Sequence, residues 1–198
     1  MTVTTAFSSW KALEAAACSC TKCPLAATRT HVVFGAGDPR ADIVFVGEGP
    51  GEQEDLQGEP FVGRAGKLLT TLIEGIGETR STVYIANVVK CRPPGNRDPA
   101  PSEIAACRPY LEDQLAFIDP VVVVTLGNFA TKLLLATKEG ITKLRGAAYP
   151  RSDGRVIVPT FHPSAVLRSG GGTPLAQTRS DFVLAKRAVA VARKVSDD

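Results

Sequence analysis

The chain is poor in the residues that usually announce a catalytic centre. It has two histidines, one methionine and one tryptophan, so imidazole chemistry rests on His31 or His162 alone. It has no apolar stretch near the ~20 residues a membrane span needs; the longest candidate is the short run Val121–Leu126. No membrane association is expected. Met1–Thr5 carries neither a basic segment nor an apolar one, so no secretion leader is expected. There is no internal repeat, no low-complexity tract and no Gly/Ser-rich linker, and one domain over residues 1–198 is expected. Neither sign of charge dominates: 23 basic against 20 acidic residues leave a net +3. That balance permits contact with nucleic acid without arguing for it. The cysteine count is odd, five, which speaks against a secreted disulfide framework and for a reducing, cytoplasmic setting.

What is present is a cysteine pattern. Cys20-x-x-Cys23 lies near the N-terminus, with Cys91 and Cys107 far along the chain. C-x-x-C plus two more thiols suits a metal centre, zinc or iron–sulfur, and spacing alone leaves both open. A buried cysteine is more often inert packing, yet four in this arrangement are rarely accidental. Prolines follow within two residues of Cys23, Cys91 and Cys107, namely Pro24, Pro93 and Pro109, and would stiffen ligand loops. Cys18 is the spare thiol.

The hydrophobic pattern alternates strand and helix. A short Ala-rich helix is expected over Phe7–Ala17. Strands are expected at 42–46, 82–89, 121–126 and 155–159, and helices over 64–76, from Ser102 to about Phe117, from Gly127 to Leu135, and over 177–194. Ser102 reads as an N-cap without a capping box. Continuous β-branched strands joined by helices imply a three-layer α/β/α fold around a mainly parallel, four-stranded sheet. Ligands of such sheets bind at the carboxyl ends of the strands. Gly47–Gly51, Asn87 and His162 all fall there, and one shared cleft is expected.

Each candidate has a bland counterpart. Gly47-Glu48-Gly49-Pro50-Gly51 lets backbone approach a ligand, but alone reads better as a tight strand-to-helix turn, since G-x-G-x-x-G is not met. His162, before Pro163-Ser164, is either aimed into the cleft or a satisfied strand-end histidine. Asn87 is either a buried amide in need of partners or a turn former. Phe61 reads more readily as core.

Together these residues resemble a known family. Gly47-Glu-Gly-Pro-Gly-Glu-Gln-Glu-Asp55, Pro60-Phe-Val-Gly63, Asn87-Val-Val-Lys-Cys-Arg-Pro-Pro94, Cys107 and His162-Pro-Ser164 are jointly similar to the iron–sulfur uracil-DNA glycosylases of bacteria and archaea, family four. The resemblance implies a [4Fe-4S] cluster on Cys20, Cys23, Cys91 and Cys107. It implies uracil-containing DNA, double or single stranded, as substrate, with the nucleotide flipped into a pocket, and release of uracil to leave an abasic site. A monomer is the default expectation.

The resemblance also implies roles. Phe61 would stack on the base, and Asn87 would donate to uracil O4 and accept from N3–H. The backbone around Gly47, Glu48, Gly49, Pro50 and Gly51 would bind the base, with Ser164 beside it. His162 would donate to O2. Glu48 is the first candidate for orienting water and Glu54 the second. The position where another family has a large aromatic wall against the thymine methyl falls near Gly51, so Glu54 is the candidate wall. Val166, Leu167 and Arg168 would form the DNA-entering segment. Arg92, Arg97, Lys143, Arg145 and Arg179 are further phosphate candidates, each singly more like a solvated surface charge. The rival reading is a related protein that holds uracil-DNA covalently through a histidine in an inserted loop. Here Cys91–Asp98 is short and has no histidine.

Overall fold

A computed structural model describes residues 5–197, and side chains through residue 194. Residues 1–4, on which most of the leader reading rests, lie outside the described residues. Four strands run parallel at the centre of the sheet: β2 (Ile43–Gly47), β3 (Tyr84–Asn87), β4 (Val122–Leu126) and β6 (Val156–Thr160). Two antiparallel edge strands of two residues each, β1 (Ala36–Gly37) and β5 (Tyr149–Pro150), complete the order β1-β3-β2-β4-β6-β5. Among the described residues the sheet therefore has six strands where the hydrophobic pattern marked four, because a two-residue strand is too short to carry a period.

The central strands are buried on both faces, as expected of parallel strands covered by helices on either side. Alternate residues point to opposite sides. Val44, Val46, Ala86 and Val123 meet α1 (Trp10–Cys18), α4 (Pro101–Ile118) and α5 (Asn128–Leu135). Phe45, Ile85, Val124 and Val158 meet α3 (Arg64–Glu74) and α8 (Gly172–Asp197). Short helices α2 (Glu52–Gln57), α6 (Ile141–Leu144) and α7 (Pro163–Arg168) sit between them. Among the described residues no helix is long and apolar enough to cross a membrane.

Helix α4 starts earlier than Ser102 suggests. Ala100 is its N-cap, Pro101 takes the first helical position, and the Glu103 carboxylate accepts the Ala100 N–H at 2.7 Å. This is the reciprocal half of a capping box without a capping side chain. Cys107 and Pro109 lie inside α4, so this proline stiffens no ligand loop.

The parallel register sets the functional end. Gly47 pairs with Asn87, and Leu126 with Thr160. The segments following β2, β3, β4 and β6 therefore emerge side by side.

Candidate active site

At those strand ends lies a cavity of about 500 Å3, lined by Glu48–Gly51, Glu54, Phe61, Asn87, His162, Ser164 and Arg168, among others. Three chain segments expected to meet do so. The cleft also takes Asn128 and Phe129 from the start of α5, and Pro93 to Asp98 from the loop after Cys91, none of them singled out from sequence as part of the cleft. The carboxyl-end rule that marks Gly47, Asn87 and His162 points equally to Gly127-Asn128-Phe129 after β4.

Asn87 is 1% exposed, and its Oδ1 is buried with no hydrogen-bond partner among the described residues. An unmet buried acceptor costs about 1–3 kcal/mol, so it marks a place where a donor belongs. Gly47 lies directly beside it. A Cβ on Gly47 would come within 2.5 Å of Asn87 Oδ1 and 2.6 Å of the Phe61 ring, so any side chain there would collide with both. The Phe61 ring is 5.7 Å from that of His162, tilted 34°.

The protonation state of His162 follows from its neighbours. The Ser164 N–H donates to His162 Nδ1 at 3.2 Å, and Ser164 Oγ is 2.7 Å from the same nitrogen. An amide can only donate, so Nδ1 is an acceptor and the ring proton sits on Nε2. Burial, then Arg168, pushes the His162 pKa down to about 4 against the pull of Glu54. The ring is a neutral Nε2–H donor at physiological pH. Arg168 donates in turn to Ser164 Oγ at 3.4 Å.

The two carboxylates differ. Glu48 is pushed up to about 7, first by burial and then by Asp98, with Arg168 opposing. Glu54 is committed to backbone: Oε1 accepts from Val62 and Gly63 at 3.0 and 2.9 Å, and Oε2 from Gly51 at 3.1 Å. As an orienter of water it is poorly available, a correction to its place as second candidate. A Cβ on Gly51 would lie 2.7 Å from Glu54 Oε2. The Glu54 carboxylate thus occupies the space a Gly51 side chain would take.

The DNA-entering segment needs a correction. Val166 is 1% exposed, part of the core, whereas Leu167 is 39% exposed. Of the two apolar residues, Leu167 is the one free to leave the surface. Several phosphate candidates are also already engaged. Arg145 makes a buried two-point contact with Asp181, which also accepts from Thr160 at the end of β6. Arg97 grips Glu103 at both ends of its guanidinium, Arg92 is near Glu52 and bonded to Asn96, and Lys143 pairs with Glu139. Arg179 is exposed.

Four cysteines meet elsewhere. Cys20, Cys23, Cys91 and Cys107 line one small cavity with Arg29, Lys90 and Tyr110; Cys18 is exposed. Three sulfurs accept N–H groups: Cys107 from Lys90 N at 3.3 Å, Cys91 from Arg29 Nη1 at 3.4 Å, and Cys20 from Lys22 N at 3.5 Å. Among the described residues no three His, Cys, Asp or Glu side chains gather around the position of a single ion. Lys90, fully buried, donates from Nζ to Asn87 O at 3.0 Å and to Gln114 Oε1. Sequence reasoning passed over it because a lysine in a polar-looking motif gives no sign of burial.

A family model described as the uracil DNA glycosylase superfamily matches residues 34–185, a range that holds Asn87 and His162 and begins after Cys23. The type-4 uracil-DNA glycosylase of Thermotoga maritima is 53% identical over 151 residues, covering 76% of this chain and 79% of that protein. That of Sulfurisphaera tokodaii is 50% identical over 157 residues, 75% of this chain and 71% of the other. That of Archaeoglobus fulgidus is 49% identical over 156 residues, 75% and 78%. The chain belongs to the uracil DNA glycosylase superfamily.

Proposed function

We propose that this protein hydrolyses the N-glycosidic bond of uracil in DNA, releasing free uracil and leaving an abasic site for repair. The observation that carries this reading is the pairing, in one cavity, of the partnerless Asn87 Oδ1 with the neutral Nε2–H of His162. Uracil N3–H is the donor that Oδ1 lacks, and the Asn87 amide N–H₂ donates to O4. Cytosine reverses both polarities, leaving mismatched buried groups at about 1–3 kcal/mol each.

Cleavage of N1–C1′ builds negative charge on uracil O2. His162 donates Nε2–H to it, and one preorganised donor at developing charge contributes about 3 kcal/mol. A neutral ring suffices, since it keeps its proton. Phe61 stacks on the base. Glu48, in its carboxylate form, orients the water that attacks C1′. The Glu54 carboxylate, standing where Gly51 has no side chain, is the wall against a thymine methyl. The backbone of Gly47, Glu48, Gly49, Pro50 and Gly51 meets the base edge. Leu167 fills the vacated stack, Arg168 meets phosphate, and Ser164 holds the His162 ring beside the base. The enzyme acts as a cytoplasmic monomer on double- or single-stranded DNA.

Cys20, Cys23, Cys91 and Cys107 would hold a [4Fe-4S] cluster. Such a cluster takes one thiolate per iron, so the sulfurs must surround a volume rather than meet at a point, and N–H···S contacts of the kind made here stabilise its charge. When bound, the group supplies a cross-link between the N-terminal segment and α4; no bond-breaking step needs it.

A uracil-containing oligonucleotide incubated with the protein and then with alkali tests the function. Strand breakage at uracil, dependent on alkali, is expected. Intact strands on every uracil substrate would end the claim. A heat-stable shifted band on a denaturing gel would instead favour covalent capture.

A further inference from the structure

Phe61 has a backbone that does not hold itself in place. Its φ is +54°, in the left-handed region, where a bulky residue carries roughly 1–2 kcal/mol of strain. The turn Pro60–Gly63 that contains it is gripped from both sides. On one side Glu54 Oε1 accepts the N–H groups of Val62 and Gly63. On the other, Arg80 reaches in from the loop between α3 and β3. Its Nη2 donates to Pro60 O at 2.6 Å, and its Nη1 to Phe61 O at 3.2 Å.

Phe61 C=O and Val62 N–H belong to one peptide plane. That plane has a guanidinium on its oxygen and a carboxylate on its N–H, so both ends are fixed by charge-assisted bonds. Gly66 closes the arrangement: a Cβ there would fall 1.7 Å from Phe61 O. With the peptide held, the direction of the Phe61 Cα–Cβ bond is set, and the ring lies beside Gly47 and His162.

We propose that Arg80, outside the cleft, is a positioning residue for base recognition: it locks the Phe61–Val62 peptide and so aims the Phe61 ring at the flipped base. This rests on the reading that Phe61 stacks on uracil. Because the ring meets the base in ground and transition states alike, loss of Arg80 weakens binding of the flipped nucleotide more than the chemical step.

The test is a double-mutant cycle on full-length protein, read as kcat and KM on a uracil oligonucleotide, with affinity for uracil-free DNA and the urea unfolding midpoint measured alongside. Arg80→Ala is expected to lower kcat/KM about 10-fold, mostly through KM, and by less than about 2-fold in a Phe61→Ala background. Arg80→Lys, which keeps the charge and one donor, is expected to recover part of the loss; it also serves if Arg80→Ala does not fold. Affinity for uracil-free DNA is expected to stay unchanged. Equal losses in both backgrounds would overturn the proposal, as would an Arg80→Ala enzyme as active as the parent while Phe61→Ala is impaired. Phe61→Ala without loss would instead remove the stacking reading, and the proposal with it.

Discussion

Two cavities flank the short stretch from Asn87 to Cys91, and they are built on opposite rules. At the cleft end two polar groups are left open: Asn87 Oδ1 has no partner among the described residues, and the Glu48 carboxyl is pushed up to about 7. At the cysteine end they are satisfied: three sulfurs accept N–H groups, and Lys90 Nζ is bonded to Asn87 O and Gln114, whose amide in turn donates to Phe34 O and the Tyr84 hydroxyl. A site for a passing ligand leaves its hydrogen bonds for that ligand to complete. A site for a resident group completes them within the protein. Lys90 joins the two, with its backbone N–H on Cys107 and its ammonium on the carbonyl of Asn87.

The sharpest test of that contrast is at the cysteines. Cys107→Ala is expected to yield colourless protein with little iron and a stability loss of several kcal/mol in urea, since metal binding at a split site is coupled to folding. A stable variant with full iron would break the comparison, and stoichiometric zinc in the parent would replace the cluster. His162→Ala is expected to do the reverse: activity falls about 10²–10³-fold, with iron content and unfolding midpoint near the parent's. Loss of iron in this variant would show that the two ends are not separable.

A smaller effect is expected at Asn87. Asn87→Asp replaces the N–H₂ donor by an acceptor, and uracil release should fall by about 2 kcal/mol in ΔΔG‡. An unchanged kcat/KM would remove Asn87 as the reader of the base. The smallest is a change of shape. If the Glu48 carboxylate orients water, kcat/KM rises with pH up to about 7, where the raised pKa of Glu48 places its ionisation, and then levels. His162, pushed down to about 4, stays neutral through that range and adds no second limb. Glu48→Gln should lower the plateau about 10-fold and flatten the limb. A limb that survives the substitution would assign it to another group.

Much of this was legible in the residues. Four buried strands, the cysteine set and the cleft at the carboxyl ends followed from β-branched runs, C-x-x-C spacing and the glycines after β2. Other features were not, each for a physical reason. The edge strands β1 and β5 are two residues long and carry no period. Ser102 looks like a cap, but Pro101 already has the φ a helix needs, and Glu103 closes the turn behind Ala100. Arg145 looks like a surface charge in a loop, yet its partner Asp181 lies 36 residues away on α8. Pairings at that distance leave no local pattern.

The sequence by itself determined the kinds of group available and the strand ends at which they stand, because burial on two faces and parallel connections dictate where polar turns emerge. Only the tertiary structure decided which neighbour each group meets. Helix α7 packs against α3, and because successive helical residues point about 100° apart, Val166 turns inward while Leu167 faces out. Glu54 fills the space that Gly51 leaves, and Arg80 reaches the Phe61 peptide across 19 residues. Spacing along a chain fixes what is adjacent along a strand or helix; contact across elements depends on how they pack.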